Sequence, residues 1–325
     1  MSDNIEYQIP PELQPEPDDV SYDLDHALNA MVSLRAEIPD DAFTASILGT
    51  ERSGHGVLID ERGIIVTIGY LVTEASQVWV VSNRGQAVPG HVLGYDYETG
   101  FGLVQTLGSL DAPFMPLGDS DKLEIADPMI VAGYGGASES VKVNLAARKE
   151  FAGYWEYVLD EALFTSPPHP NWGGTALIGP DGDLCGIGSL YIDQIVDSLP
   201  DVDGNMMVPV NLLKPILDEL SNYGRTLKPA RPWLGMFVSE VEQTMVVAGV
   251  YEGAPAAQAD IRAGDFVLEV AGSGVSDLAT MFRSVWSCGP AGIDIPLTIK
   301  RDGEILNIQI PSVDRREFWK TPALH

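Results

Sequence analysis

The sequence has only two cysteines, Cys185 and Cys288, in 325 residues. Two cysteines cannot supply the disulfide framework of a small secreted domain, and neither lies in a CxxC or other metal-type spacing. Both are therefore predicted to be small, buried apolar residues.

Basic residues are scarce as well. The chain carries 19 Lys and Arg against 47 Asp and Glu, which gives a formal net charge of −28. Nucleic-acid binding needs basic side chains that displace counterions from phosphate, and electrostatic docking on anionic lipid needs them too. The composition argues against nucleic acid and membrane as partners, and it suits a solvated surface.

Long apolar segments are also missing. No run approaches the roughly 18 consecutive apolar residues of a membrane span. Residues 1–17 have neither a basic start nor the apolar core of a secretory signal. We therefore expect the chain as given to be soluble and cytoplasmic.

What is present begins with an acidic N-terminal region, residues 1–42. Residues 1–22 are rich in Pro, Asp and Glu and are predicted to form a loosely docked or disordered arm. Between residues 23 and 37 the apolar positions Leu24, Leu28, Met31 and Leu34 are spaced as one stripe of a short helix. That helix would pack on the main domain or on another subunit.

The rest of the chain is rich in predicted strands. Residues 43–226 consist of short β-branched runs separated by glycine-containing turns, which is typical of an antiparallel barrel or sandwich. Near its end, residues 211–221 predict a helix capped by Asn211. A Gly- and Pro-containing linker leads to a second β-rich domain, residues 231–313, and to a tail, residues 314–325.

Five blocks in the first domain resemble, in order, the motifs of the trypsin-like domain of HtrA-type serine proteases. They are GHGVLID at 54–60, VTIGYLV at 66–72, TGFGLV at 99–104, NWGGTAL at 171–177 and VPVN at 208–211. The second domain resembles a PDZ domain in WLGM at 233–236, in residues 253–272 and in IPLTIKRDGE at 295–304. The resemblance implies a mainly β protein, a trypsin-like double β-barrel followed by a PDZ domain. It also implies a homo-oligomer, a trimer, and a role in protein quality control.

The catalytic positions of that family hold the wrong residues. A trypsin-like site needs a serine nucleophile, a histidine base and an orienting carboxylate. The motifs place the histidine at Tyr70, the aspartate at Gly100 and the serine at Gly173. Loss of the nucleophile or base from a serine protease lowers kcat by about 10⁶. The sequence therefore predicts a pseudoprotease with no catalytic residues.

No other constellation in the sequence replaces the lost triad. His55 and His169 resemble positions near the family's cleft, but two histidines do not make a metal site, and we predict no metal and no cofactor. The aromatic segment 151–164 contains Tyr154, Trp155 and Tyr157. These rings are predicted to fill the vacated cleft or its rim.

The PDZ domain is predicted to bind protein C-termini or extended peptides. Such a groove adds a peptide as a strand and captures its terminal carboxylate with backbone N–H groups. The predicted binding residues are those of the carboxylate-binding loop, the following strand and the facing helix: Trp233, Leu234, Gly235, Met236, Phe237, Val238, Met281, Phe282 and Val285. The leading hypothesis is a non-catalytic peptide-binding scaffold. The alternatives are an active HtrA-type serine endopeptidase and a chaperone or regulatory subunit of an active protease.

Overall fold

The protein is described here from a computed structural model that covers residues 8–196 and 202–320. The predictions for residues 1–7 and 321–325 lie outside the described residues. The chain divides into two compact units. Unit 1 extends to Lys149 and includes Glu161–Thr226 and the chain from Lys320, whereas unit 2 consists of Glu150–Asp160 and Leu227–Trp319. The mainly β fold predicted from the sequence is confirmed.

The first half of unit 1 is a closed six-stranded barrel with the order β1-β2-β3-β6-β5-β4. Apolar side chains alternate along its first strand, where Val32, Leu34 and Ala36 are buried while Arg35 is exposed. The strands are β1 (Met31–Glu37), β2 (Glu51–Leu58), β3 (Ile64–Ile68), β4 (Gln77–Ser82), β5 (Ala87–Tyr95) and β6 (Phe101–Thr106).

The helix predicted over residues 23–37 is wrong in its second half. Helix α1 covers only Leu24–Asn29, and Asp23 caps it by accepting a hydrogen bond from the His26 N–H. Strand β1 follows at once, because its residues also alternate with a period of two and pair with β2 on one side and β4 on the other. The barrel therefore begins at Met31, before the boundary predicted at residue 43.

The second half of unit 1 is another closed barrel, with the order β10-β11-β12-β9-β8-β7. Its strands are β7 (Pro128–Ala132), β8 (Ser140–Gly153), β9 (Tyr157–Ser166), β10 (Ala176–Ile178), β11 (Leu184–Ile192) and β12 (Gly204–Pro209). Its core contains Val131, Leu145, Leu163, Leu177 and Met207. The two barrels are the trypsin-like architecture predicted from the sequence.

The helix predicted over residues 211–221 is shorter and begins later. Helix α3 is Leu217–Tyr223, and Gly224 ends it in the left-handed conformation. Asn211 lies in a 3-10 turn instead, and its side-chain amide donates a hydrogen bond of 2.7 Å to Asp119. It is therefore not the cap of the helix. Unit 1 also contains the short helix α2 (Ala45–Leu48).

Unit 2 is built on a sheet with the order β13-β14-β15-β17-β18, from which β16 pairs only with β15. Its strands are β13 (Met236–Val241), β14 (Thr244–Val250), β15 (Phe266–Val270), β16 (Ser273–Gly274), β17 (Asp294–Arg301) and β18 (Glu304–Pro311). Helices α4 (Pro255–Gln258) and α5 (Leu278–Ser287) complete the unit. Strand β13 stands at one end of the sheet.

Helix α5 packs on this sheet because its apolar residues share one face. Leu278, Met281, Phe282 and Val285 are buried and recur at the spacing of a helix stripe. Asp277 begins the helix by accepting a hydrogen bond of 2.7 Å from the Thr280 N–H. The helix is thereby fixed as one wall of unit 2.

The remaining regular elements are single-turn 3-10 helices at Pro11–Leu13, Pro17–Asp19, Gly69–Leu71, Ser120–Lys122, Gly136–Glu139, Val210–Leu212 and Arg315–Phe318. Among the described residues no helix has the length and apolar character needed to span a membrane. Nor does the described part of the chain contain a cluster of three or more His, Cys, Asp or Glu side chains that could hold a metal ion.

Candidate functional site

The three positions predicted to correspond to a serine-protease triad lie in one neighbourhood of unit 1. Tyr70 is held in the 3-10 turn directly after strand β3. The Gly69 N–H donates a hydrogen bond of 2.7 Å to the carbonyl of Gly100, just before strand β6. The Tyr70 hydroxyl lies 3.0 Å from the point where a Cβ on Gly173 would stand. The fold therefore brings these three positions together.

Tyr70 is a fixed, neutral group at this place. Its hydroxyl donates a hydrogen bond of 2.9 Å to the carbonyl of Ser189. Burial raises the pKa of Tyr70 above the ordinary value for tyrosine. Gly173 has no side-chain oxygen or sulfur that could act as a nucleophile. The tyrosine ring thus stands against the space into which a nucleophile at position 173 would project.

Backbone groups of the loop that carries Gly173 already form hydrogen bonds. The Asn171 N–H donates a hydrogen bond of 3.0 Å to Nδ1 of His169. The Gly173 carbonyl accepts a hydrogen bond of 2.9 Å from the His55 N–H. In a trypsin-like site the N–H of the nucleophile and the N–H two residues before it hold the oxyanion. The second of these, the Asn171 N–H, is already bonded within the loop.

His55 and His169 lie side by side behind this loop, with ring centroids 5.9 Å apart. The Tyr134 N–H donates to Nδ1 of His55 at 2.9 Å, and Nε2 of His169 is 3.0 Å from the Glu139 carbonyl. Burial, reinforced by His169, lowers the pKa of His55 to about 4, and burial lowers that of His169 too. Both rings are therefore neutral near pH 7, and their described polar contacts are to backbone.

The predicted carboxylate-binding loop of unit 2, residues 233–236, holds a carboxylate. Three consecutive N–H groups, those of Leu234, Gly235 and Met236, donate to the side chain of Glu156 at 3.1, 2.7 and 3.2 Å. Trp233 differs from them, because its N–H pairs with the Val313 carbonyl at 3.1 Å. The loop therefore binds a carboxyl group through three backbone donors.

Two features of the loop require a residue without a side chain at position 235. Its φ is +76°, a region that favours glycine, and a Cβ there would lie 2.3 Å from the Cβ of Ala254. The close approach lets the chain turn so that adjacent N–H groups converge on one carboxylate.

The predicted groove walls are in large part core residues of unit 2. Met236 and Val238 on strand β13 and Met281, Phe282 and Val285 on helix α5 belong to one buried apolar cluster. Val158 belongs to the same cluster. Phe237 is partly exposed, and its ring centroid lies 4.4 Å from that of Tyr251 and 5.9 Å from that of Tyr154.

The aromatic segment 151–164 does not behave as predicted. Residues 150–160 belong to unit 2, whereas the prediction assigned Tyr154, Trp155 and Tyr157 to the cleft of unit 1. Trp155 packs on Tyr154 and Tyr157 instead, at centroid distances of 5.0 and 5.7 Å. The sequence did not show that the end of the β8–β9 hairpin belongs to unit 2.

Glu156 is the candidate site residue that sequence reasoning missed. It lies between β8 and β9 with a φ of +62°, unusual for a residue other than glycine. No motif marks it, since a single acidic residue in a strand-rich segment resembles any exposed turn residue. The aromatic residues around it drew attention to the segment, but not to the carboxylate.

Comparison with protein families places one family on each unit. The family of trypsin-like peptidase domains matches residues 54–187, and the PDZ domain family matches residues 232–311. A trypsin-like peptidase domain followed by a PDZ domain is the arrangement expected from the sequence. These two matches support the resemblance to the HtrA family. The predicted fold class, a trypsin-like barrel pair followed by a PDZ domain, is confirmed.

Curated HtrA-type proteins resemble most of the chain. The probable periplasmic serine endoprotease DegP-like of Halomonas elongata is 25% identical over 277 residues, covering 79% of this chain and 55% of its own length. The periplasmic serine endoprotease DegP of Escherichia coli K12 is 25% identical over 280 residues, covering 79% and 56%. The serine endoprotease DegS of the same organism is 26% identical, covering 79% and 75%. The chain thus spans about half the length of the DegP relatives.

Solved HtrA-type structures share the fold. The protease AlgW in complex with a decapeptide superposes with a TM-score of 0.54 at 20% identity, covering 92% of this chain and 98% of its own. The serine endoprotease from Yersinia pestis gives a TM-score of 0.52 at 21% identity, covering 91% and 99%. At this identity the likeness concerns the fold.

The expectation of a cytoplasmic location was wrong. It rested on the composition of residues 1–17, whereas the DegP relatives that resemble this chain are named as periplasmic proteins.

Proposed function

We propose that this HtrA-type protein binds the C-termini of proteins or extended peptides through its PDZ domain and does not hydrolyse peptide bonds. The observation that carries the proposal is the convergence of the Leu234, Gly235 and Met236 N–H groups on a carboxylate. A peptide C-terminus offers the same chemical group, and strand addition to β13 would orient the chain behind it. The AlgW structures in complex with peptides support this use of the fold.

The absence of hydrolysis is supported by the neighbourhood of Tyr70. Position 173 lacks a nucleophile, and Gly100 supplies no carboxylate. The Tyr70 hydroxyl is bound to a backbone carbonyl, so no base stands where the histidine of a trypsin-like site is needed. The Asn171 N–H, which would form half of the oxyanion hole, is bonded to His169.

Peptide titration tests the binding half of the proposal. The full chain is titrated with a fluorescent peptide that ends in an apolar residue with a free carboxylate, and with the same peptide amidated. We expect the free acid to bind at least about tenfold more tightly, because charge-assisted hydrogen bonds to three N–H groups are lost with the amide. Equal affinity for the two peptides would reject carboxylate capture.

Location and assembly belong to the same proposal. We place the protein in the periplasm because its DegP relatives are named as periplasmic. The trimer that the HtrA resemblance implies is testable by light scattering on the purified chain, and a monomeric mass would overturn it.

A further inference from the structure

The carboxylate that fills the binding loop belongs to the protein itself. Glu150–Asp160, hereafter the hairpin tip, is the part of the β8–β9 hairpin that belongs to unit 2. We infer that the hairpin tip is an internal ligand of the PDZ groove, in which the Glu156 side chain takes the place of a peptide C-terminus. An external peptide must then displace the hairpin tip before it binds. The inference rests on the proposed function and says what regulates it.

The register of the backbone supports this assignment. The Glu156 side chain accepts a hydrogen bond of 3.2 Å from the N–H of Met236. Two residues earlier, the Tyr154 carbonyl accepts a hydrogen bond of 3.0 Å from the N–H of Val238. From the first contact to the second, the residue number falls by two along the hairpin tip and rises by two along β13. The tip therefore runs antiparallel to β13. Strand β13 ends the sheet, and its edge is the one to which a peptide strand would be added.

Burial shows that the contact is closed to solvent. Glu156 is only 6% exposed although it is a carboxylate in a turn. Val158, two residues further on, is also 6% exposed and joins the core cluster of the PDZ fold. The hairpin tip therefore buries both a carboxylate and an apolar side chain in unit 2. These are the two features by which a C-terminal peptide is recognised.

Charged side chains hold the hairpin tip from two elements. Arg283 on helix α5 pairs with Glu150 and with Asp160, each at 2.5 Å, so one guanidinium spans both strands of the hairpin. Arg315 donates a hydrogen bond of 3.3 Å to the Trp155 carbonyl, and its charge acts on Glu156. The hairpin tip thus contacts strand β13, helix α5 and the 3-10 helix Arg315–Phe318.

The experiment compares the full chain with a variant whose tip lacks the carboxylate. Glu156→Gly removes it, and glycine adopts the φ of +62° without strain, so the turn itself is retained. The matched control is Glu304→Gln, which removes one acidic charge from an exposed position of unit 2. We expect Glu156→Gly to bind the free-acid peptide at least tenfold more tightly than the wild type, and Glu304→Gln to bind as the wild type does.

Amide hydrogen exchange gives a readout that does not depend on a peptide. In the wild type the N–H groups of Leu234, Gly235, Met236 and Val238 should be protected, and in Glu156→Gly they should exchange faster. The free-acid peptide should restore protection to the variant. Fast exchange of these amides in the wild type would overturn the inference.

The two hypotheses fail in different ways. Equal peptide affinity of wild type and Glu156→Gly would overturn the internal ligand and leave peptide binding intact. Peptide binding by neither chain, with loss of amide protection in the variant, would uphold the internal ligand and overturn the proposed function. Should Glu156→Gly not fold, Arg283→Gln removes both ion pairs while leaving the loop intact, and it should also tighten peptide binding.

Discussion

The two candidate sites of the molecule differ in what stands at their centre. At the predicted triad positions of unit 1 the chain has Tyr70, Gly100 and Gly173, and the Tyr70 hydroxyl lies 3.0 Å from the point where a Cβ on Gly173 would stand. In unit 2 the carboxylate-binding loop retains its N–H donors, and the protein supplies the carboxylate that fills them. Under the proposed function, one site would be lost by substitution and the other kept but occupied, and only the second change is reversible.

The largest expected effect concerns unit 1. Wild type and Gly173→Ser should both fail to react with a fluorophosphonate probe and to cleave casein, with a rate lower by about 10⁶ than that of an active relative. The added serine would have no base, because Tyr70 and Gly100 remain. Escherichia coli DegP, assayed in parallel, is the positive control. Labelling of the wild type would reveal a nucleophile elsewhere and break the contrast between the two sites.

The second prediction concerns the geometry of the loop in unit 2. Gly235→Ala should lower the free energy of unfolding of the domain by about 2–4 kcal/mol, from overpacking against Ala254 and a positive φ. Gly272→Ala is the matched control, since Gly272 has a φ of +77° but no atom within 4 Å of an added Cβ. We expect it to lose only about 1 kcal/mol. If denaturant unfolding gives the same loss of free energy of unfolding for both variants, the close approach to Ala254 does not contribute to the cost of Gly235→Ala.

The third prediction is a pH dependence of the internal ligand. Burial raises the pKa of Glu156 to about 7, against the opposing effects of Arg315 and of the Leu234, Gly235 and Met236 N–H groups. Because the pKa is higher in the docked tip than in the free carboxyl, docking takes up a proton and weakens as the pH rises from about 4.5 to 7. Affinity for an external free-acid peptide should therefore rise across this window, by at most tenfold per pH unit.

The groups that face Glu156 are Arg315 and Tyr251, together with the backbone of residues 234–236. Burial raises the pKa of Tyr251, so it stays neutral throughout the window. Glu156→Gln cannot titrate and should show a flat profile. A slope that persists in Glu156→Gln would assign the pH dependence to another group.

The smallest expected effect returns to Tyr70. Tyr70→Phe removes the hydroxyl that donates to the Ser189 carbonyl, and it should lower the free energy of unfolding of unit 1 by about 1–2 kcal/mol. Tyr223→Phe, at a position 63% exposed, should change it by less than about 0.5 kcal/mol. A loss no larger than that of the control would show that the ring, and not the hydroxyl, fills the site.

The sequence predicts the fold well where the pattern is local. The strand runs of both barrels, the stripe of helix α5 and the loop at residues 233–236 are all readable, because burial, turn residues and short-range hydrogen bonds decide them. Strand β1 was misread, since the spacing of Leu28, Met31 and Leu34 fits a helix and a strand alike. Its pairing with two distant strands selects the strand.

The candidate site shows the same limit more sharply. The donors at Leu234, Gly235 and Met236 are neighbours in sequence, and a motif finds them. Their acceptor, Glu156, is about 80 residues away, and only the length of the β8–β9 hairpin brings it to them. Long-range partners of this kind leave no spacing that a single sequence can display.

The position of β13 at the end of its sheet has a consequence for solubility. An unpaired strand edge is a template on which other chains can add, and proteins that leave one open risk aggregation. The Val238 N–H on that edge is covered by the Tyr154 carbonyl. A peptide that replaces the hairpin tip would cover the same edge, so exchange of one strand for the other keeps β13 away from neighbouring molecules.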